Sequence, residues 1–198
     1  MPEELPAVIA DGPLDDTVLE FMAGQVNLLP WDTLDTGLTL QIEGLYTYGH
    51  PRVDSALLAR FPNLKIISNY GVGVDHIDLR AAEERGIPVG NTPDILNGAT
   101  ADQAMTLVLA TGRRLIEGDG YARSPDFTAY DPGHMLGREI HGATMGIIGL
   151  GRIGQEIAKR AHGFGMTILY HNRRPRAVAQ SLWLSLIHIS EPTRRLCI

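Results

Sequence analysis

Six residues, Gly-Leu-Gly-Arg-Ile-Gly at 149–154, are spaced as a chain needs them to hold a phosphate ester. In Gly-x-Gly-x-x-Gly the first glycine permits a tight turn and the second lets the backbone approach a pyrophosphate. The third lets the following helix pack closely on the preceding strand. The pattern is weak alone and gains its weight from its flanks. "MGIIGL" before it reads as a buried strand, "IGQEIAKRAHGFG" after it as a helix, and "TILYHNRRPR" as a return strand. A helix opening at this turn offers free N–H groups to phosphates. Gly149, Gly151 and Gly154 are therefore candidate dinucleotide contacts.

The end of the return strand discriminates between dinucleotides. A carboxylate about 20 residues past the glycines binds a ribose 2′-hydroxyl. Here Asn172, Arg173, Arg174 and Arg176 stand in its place, with no acid among them. Arginines attract a 2′-phosphate and can bind it bidentately, whereas an Asp repels it. The expectation is NADP, with NADPH preferred over NADH.

These residues need a scaffold, and the rest of the chain supplies one. Short apolar runs alternate with helical patterns: "AVIA" (7–10), a helix over 15–23, "VNLL", "IEGLYTY", the helical spacing of Val53, Leu57, Leu58 and Phe61, "LKIIS", the helix "LRAAEERG" closed by Gly86, and "IPVG". Such alternation predicts an α/β protein with parallel sheets covered by helices. From Asn97 the pattern changes. "NGATADQAMTLVLATGRRL" reads as one long helix with Thr100 and Gln103 as a capping box. Residues 118–140 carry glycines, prolines and aromatics without a period and read as a surface arm. Two domains are expected, meeting near residues 98–118.

The stretches 69–114, "NYGVGVDHIDLRAAEERGIPVGNTPDILNGATADQAMTLVLATGRR", and 142–176, "GATMGIIGLGRIGQEIAKRAHGFGMTILYHNRRPR", resemble the D-isomer-specific 2-hydroxyacid dehydrogenases, in their glyoxylate/hydroxypyruvate reductase branch. The resemblance implies a flavodoxin-like substrate domain at 1–98 and the first part of a Rossmann dinucleotide-binding domain at 99–181. It implies hydride transfer between NAD(P)H and a small 2-oxo acid or D-2-hydroxy acid. The backbone amides of Val72 and Gly73 would hold the substrate carboxylate, and Thr100 would approach the nicotinamide. Gly151, Arg152 and Ile153 would line the pyrophosphate, and Asn172, Arg173, Arg174 and Arg176 would face the adenosine ribose. A homodimer is implied, formed through the coenzyme domain and the arm that holds Tyr121, Phe127 and Tyr130. His76, beside the carboxylate loop, is expected at the surface or in a cap rather than as acid or base. His50, His134, His141, His162 and His171 show neither triad nor metal spacing, and no metal is expected. Two other readings share the fold: a non-catalytic dinucleotide sensor like the C-terminal-binding-protein corepressors, and a dehydrogenase for phosphoglycerate or formate.

The resemblance places the catalytic arginine, the histidine and its carboxylate partner after the strand ending at Tyr170. No catalytic residue is therefore expected within 1–181. The segment 182–198 includes "LSLIHISEPTR", which resembles translated sequencing adapter, and reads as a non-native tail. The 198-residue chain is expected to be an inactive fragment of an enzyme. Composition narrows the setting. A formal net charge of −6 argues against nucleic acid as the main partner. The single cysteine, Cys197, leaves 1–181 without thiol chemistry. The N-terminus lacks a signal-peptide layout and no apolar run reaches membrane-span length, so a cytoplasmic protein is expected.

Overall fold

The computed structural model describes residues 5–174, with the backbone alone at Leu38, Ser185 and Leu186. The chain divides into two compact units, Met1–Asp94 and Ile95–Ile198.

The first unit is a five-stranded parallel sheet in the order β2-β1-β3-β4-β5, formed by β1 (Ala7–Ala10), β2 (Asn27–Pro30), β3 (Ile42–Thr47), β4 (Ile66–Asn69) and β5 (Val89–Gly90). This is the flavodoxin-like order, whose direction of winding reverses between β1 and β3. Helices α1 (Asp16–Met22), α2 (Ser55–Ala59) and α3 (Leu79–Glu84) form the crossovers. Each opens on an aspartate, Asp15, Asp54 or Asp78, whose carboxylate accepts a hydrogen bond from a backbone amide three residues on. Helix α3 is closed by Gly86 in the left-handed region (φ 66°). Ile9, Ile42, Leu45 and Ile67 from the strands pack on Val53, Leu58 and Phe61 to make the core. Residues 31–41 form two 3-10 turns that hydrophobic period does not reveal.

The second unit holds α4 (Asn97–Gly112), α5 (Leu115–Ala122), β6 (Thr144–Ile148), α6 (Arg152–Gly163), β7 (Thr167–His171) and β8 (Ser185–Leu186). Its parallel sheet runs β6-β7-β8. Met105 of α4 packs with Ile147, Leu150, Ala158, Ala161, Ile168 and Tyr170. Helix α6 is strongly amphipathic and buries Gly154, Ala158 and Ala161. The backbone of Ser185 and Leu186, inside the segment read as a tail, lies parallel to Leu169 and Tyr170. Such pairing uses main-chain groups that any extended segment offers.

Two sequence expectations are corrected here. The long helix read over 97–115 ends at Gly112, Arg114 is left-handed (φ 53°), and a second helix, α5, runs from Leu115 into the segment read as an arm. The cause is tertiary. The backbone of Gly137 and Arg138 crosses Gly112, and the Arg138 amide donates to the Gly112 carbonyl at 2.7 Å. The capping box of Thr100 and Gln103 does not form either. The helix begins at Asn97, as read, with Leu96 rather than Thr100 at the cap position and no side-chain capping bond. Thr100 lies inside its first turns, its amide donating to the Leu96 carbonyl at 2.9 Å.

Candidate functional site

In the second unit two glycines of the turn, Gly149 and Gly154, have separate steric reasons, and Gly151 has none within the chain. Gly149 sits at φ 96°, where a side chain is strained. Gly154 is buried, and a Cβ there would overlap the carbonyl oxygen of Gly149. Gly151, the residue before α6, has nothing within 4 Å of the position a Cβ would take. Unlike α1 to α3, α6 has no side-chain cap, which leaves its first amides available to an anion. Arg152 and Ile153, the first two residues of α6, are exposed. The turn is held from below: the Gly149 amide donates to the His171 carbonyl at 2.9 Å, continuing the β6–β7 ladder.

Asn172 follows β7 and reaches the same turn. Its Oδ1 accepts from the Leu150 amide at 3.3 Å, and its Nδ2 donates to the Arg174 carbonyl at 3.1 Å. One side chain thus ties the glycine turn to the backbone that carries Arg173 and Arg174, both exposed. Arg176 lies outside the described residues. The open position at Gly151 and a helix start without a side-chain cap leave room for a phosphate group at this turn.

Thr100 is exposed on α4. Helix α4 is keyed to α6 by Arg160, which donates to Asp102 at 2.6 Å, to the Glu156 carboxylate at 2.9 Å and to the Gly98 carbonyl at 3.3 Å. These hydrogen bonds, from Lys159 and Arg160, hold the Glu156 carboxyl below its usual range. The clamp fixes the start of α4, and so Thr100, against the helix that follows the glycine turn.

In the first unit, Val72 and Gly73 lie in the loop after β4, at the carboxyl ends of the strands. In open α/β sheets ligands bind there. The loop's carbonyls from Tyr70 to Gly73 are all engaged. Tyr70 accepts from the Thr92 hydroxyl at 2.9 Å. Gly71 and Gly73 both accept from Asn69 Nδ2, at 2.7 and 2.9 Å, and Val72 accepts from Asn91 Nδ2 at 2.8 Å. Asp11, after β1, accepts from the amides of Tyr48 and Gly49 after β3. Asn69, Asn91, Thr92 and Asp11 escape a sequence reading, because the only signal is a polar residue just past a strand. Their partners depend on sheet register.

His76 is half-buried against His50, with ring centroids 4.6 Å apart. His50 is left-handed (φ 60°) and lies over Gly71. His76 Nε2 is buried without a hydrogen-bond partner among the described residues. Burial, and then the neighbouring His50, lower the His76 pKa, against a smaller upward pull from Asp11 and Asp75. A histidine with a lowered pKa binds fewer protons folded than unfolded, so its contribution is intact above its ordinary value of about 6.5 and is lost as pH falls. The first unit should therefore lose stability between about pH 7 and pH 5. The His76→Gln variant should flatten that dependence, as read from urea midpoints by fluorescence of Trp31, which packs against this core. An unchanged slope would contradict the assignment.

Among the described residues no His, Cys, Asp and Glu cluster could hold a metal, and no helix is long and apolar enough to cross a membrane.

A flavodoxin-ordered parallel sheet in one unit and a strand, Gly-x-Gly-x-x-Gly turn and helix in the other define the class: a two-unit α/β scaffold. The family profile "D-isomer specific 2-hydroxyacid dehydrogenase, catalytic domain" matches residues 8–184. The chain belongs to that family. It is 48% identical over 143 residues to a glyoxylate reductase of Thermococcus kodakarensis, a match covering 70% of this chain and 43% of that protein. The chain thus spans under half the length of the curated relatives it matches. Among solved structures it is similar to a 2-hydroxyacid dehydrogenase from Ketogulonicigenium vulgare, with TM-score 0.83 and 33% identity over 94% of this chain and 59% of that one. It is also similar to an NADPH-dependent glyoxylate/hydroxypyruvate reductase from Sinorhizobium meliloti, with TM-score 0.78 and 32% identity over 92% and 58%.

Proposed function

We propose that this sequence carries the substrate-carboxylate loop and the first half of the coenzyme site of an NADPH-preferring reductase of small 2-oxo acids, glyoxylate or hydroxypyruvate. In this reading residues 1–98 are the substrate domain and 99–181 the incomplete coenzyme domain. The amides of Val72 and Gly73 hold the carboxylate, and the turn Gly149–Gly154 with Arg152 and Ile153 takes the pyrophosphate. Thr100 faces the nicotinamide side, and Asn172, Arg173, Arg174 and Arg176 take the ribose 2′-phosphate. A bound reduced nicotinamide supplies the hydride. The observation that carries the reading is Asn172: it joins the glycine turn to a strand end bearing arginines and no acid. The names of the Thermococcus and Sinorhizobium relatives support the substrate class, and the latter's supports the coenzyme.

The full-length protein is proposed to be a cytoplasmic homodimer. Exposed Leu115, Ile116, Phe127, Tyr130 and Leu136 supply the apolar surface such an interface needs. Residues 182–198 are proposed to be foreign, in keeping with a family match that stops at Leu184.

Replacing Arg173 and Arg174 together by Ala tests the coenzyme assignment. Each charge-assisted bond to a phosphate contributes about 1.5–3 kcal/mol, so NADPH affinity should fall at least about tenfold. NADH affinity should hold within about twofold, as read by calorimetric titration of the chain. An equal loss for both coenzymes would contradict the 2′-phosphate assignment.

A further inference from the structure

We infer that Asn69, with Asn91, is the positioning residue of the carboxylate loop, setting the direction in which the Val72 and Gly73 amides point. This rests on the reading of those two amides as the carboxylate site. The carbonyl and the N–H of one trans peptide point in opposite directions. Asn69 Nδ2 holds the Gly71 carbonyl, so the Val72 N–H in the same peptide is turned away from Asn69. Asn91 Nδ2 holds the Val72 carbonyl, so the Gly73 N–H is turned away from Asn91. Neither amide has a hydrogen-bond partner among the described residues. The loop uses its acceptors internally and leaves its donors for an anion.

The orientation of the Asn69 amide is itself fixed. A carbonyl oxygen can only accept, so the two carbonyls on one side of Asn69 require its NH2 there. On the other side Thr47 Oγ1 donates to Asn69 Oδ1 at 2.8 Å. Thr47 and Asn69 are paired across β3 and β4 and are 0% and 2% exposed. A buried hydroxyl and amide on a sheet otherwise packed with Ile and Leu stay only where fully partnered, and what they hold in place is this loop. The Thr92 amide and hydroxyl support the same loop from β5, at Gly71 and Tyr70.

The test uses the nitrogen-15-labelled 198-residue chain, with amide order parameters and a titration with glyoxylate as probe. The double variant Thr47→Val/Asn69→Leu removes both buried polar partners with little change of shape, a replacement that leaves packing nearly neutral. The single variant Asn91→Ala sits at an exposed position and does not touch the core. In the wild type, the Val72 and Gly73 amides should be rigid, with order parameters near about 0.85, and should shift saturably with glyoxylate. The double variant should drop both below about 0.6 and raise the apparent Kd about tenfold. The amides of Ile9 and Leu45 should stay put. Asn91→Ala should confine the loss to Gly73. Variants that keep both rigidity and affinity within about twofold would overturn the positioning role. A rigid wild-type loop whose amides ignore glyoxylate would overturn instead the carboxylate reading beneath it.

Discussion

Replacing Gly154 by Ala should destabilise the glycine turn, whereas replacing Gly151 by Ala should leave the fold intact and weaken the proposed dinucleotide binding. The two glycines are three residues apart but answer to different constraints. A methyl group at 154 overlaps the Gly149 carbonyl oxygen and also meets Ile147 Cγ2 at 3.4 Å. The turn cannot back away, because the Gly149 amide is committed to His171 and extends the β6–β7 ladder. Overpacking of this kind costs about 1–3 kcal/mol, a large share of the stability of a small unit. Amide exchange at Ile147 and Ile168 should accelerate together. At Gly151 the added methyl meets no protein atom, so exchange should be unchanged while NADPH affinity falls at least about tenfold. Equal stability losses in both variants would contradict the division of labour between them.

The second large effect is an absence: the 198-residue chain, supplied with NADPH and glyoxylate or hydroxypyruvate, should consume no reduced coenzyme above the protein-free rate. Reduction of a 2-oxo acid needs a proton delivered to the oxygen that becomes an alkoxide, and general-acid help contributes about 10²–10⁴ in rate. In the proposed reading the described loops offer only backbone amides for the carboxylate and a turn for phosphates. The resemblance places the arginine and the histidine that polarise and protonate the carbonyl after Tyr170. The histidine, glutamate and arginines of the tail, His188, Glu191, Arg194 and Arg195, fall within a few residues of one another. The family separates these roles by whole strand-loop units. Turnover that disappears in a His188→Ala or Arg194→Ala variant would contradict this account and make the tail catalytic.

The parts legible in the sequence are those whose cause is local. Gly149 and Gly154 answer to a backbone or contact constraint within a few residues, so the spacing, read with the strand and helix that flank it, points to the turn. The left-handed Gly86 that closes α3 is equally short-range. What escaped depends on distant backbone. The break after Gly112 follows from residues 137–138 crossing it, 25 positions along. The capping box failed because a Thr-x-x-Gln pattern says nothing about four further residues, 97–100, joining the helix. The support of the carboxylate loop requires Thr47 to pair with Asn69 across a parallel ladder. The His50–His76 contact joins loops after different strands and carries no spacing signal at all.

The central claim is that the strand end at Asn172–Arg174, joined to the glycine turn, selects for a 2′-phosphate. Calorimetric titration of the wild-type chain with NADPH and then NADH, under identical low-salt conditions, tests it most directly. The expected result is tighter NADPH binding by about tenfold or more, with a preference that shrinks as salt screens the exposed arginines. Equal affinity for the two coenzymes, or tighter NADH binding, would contradict it.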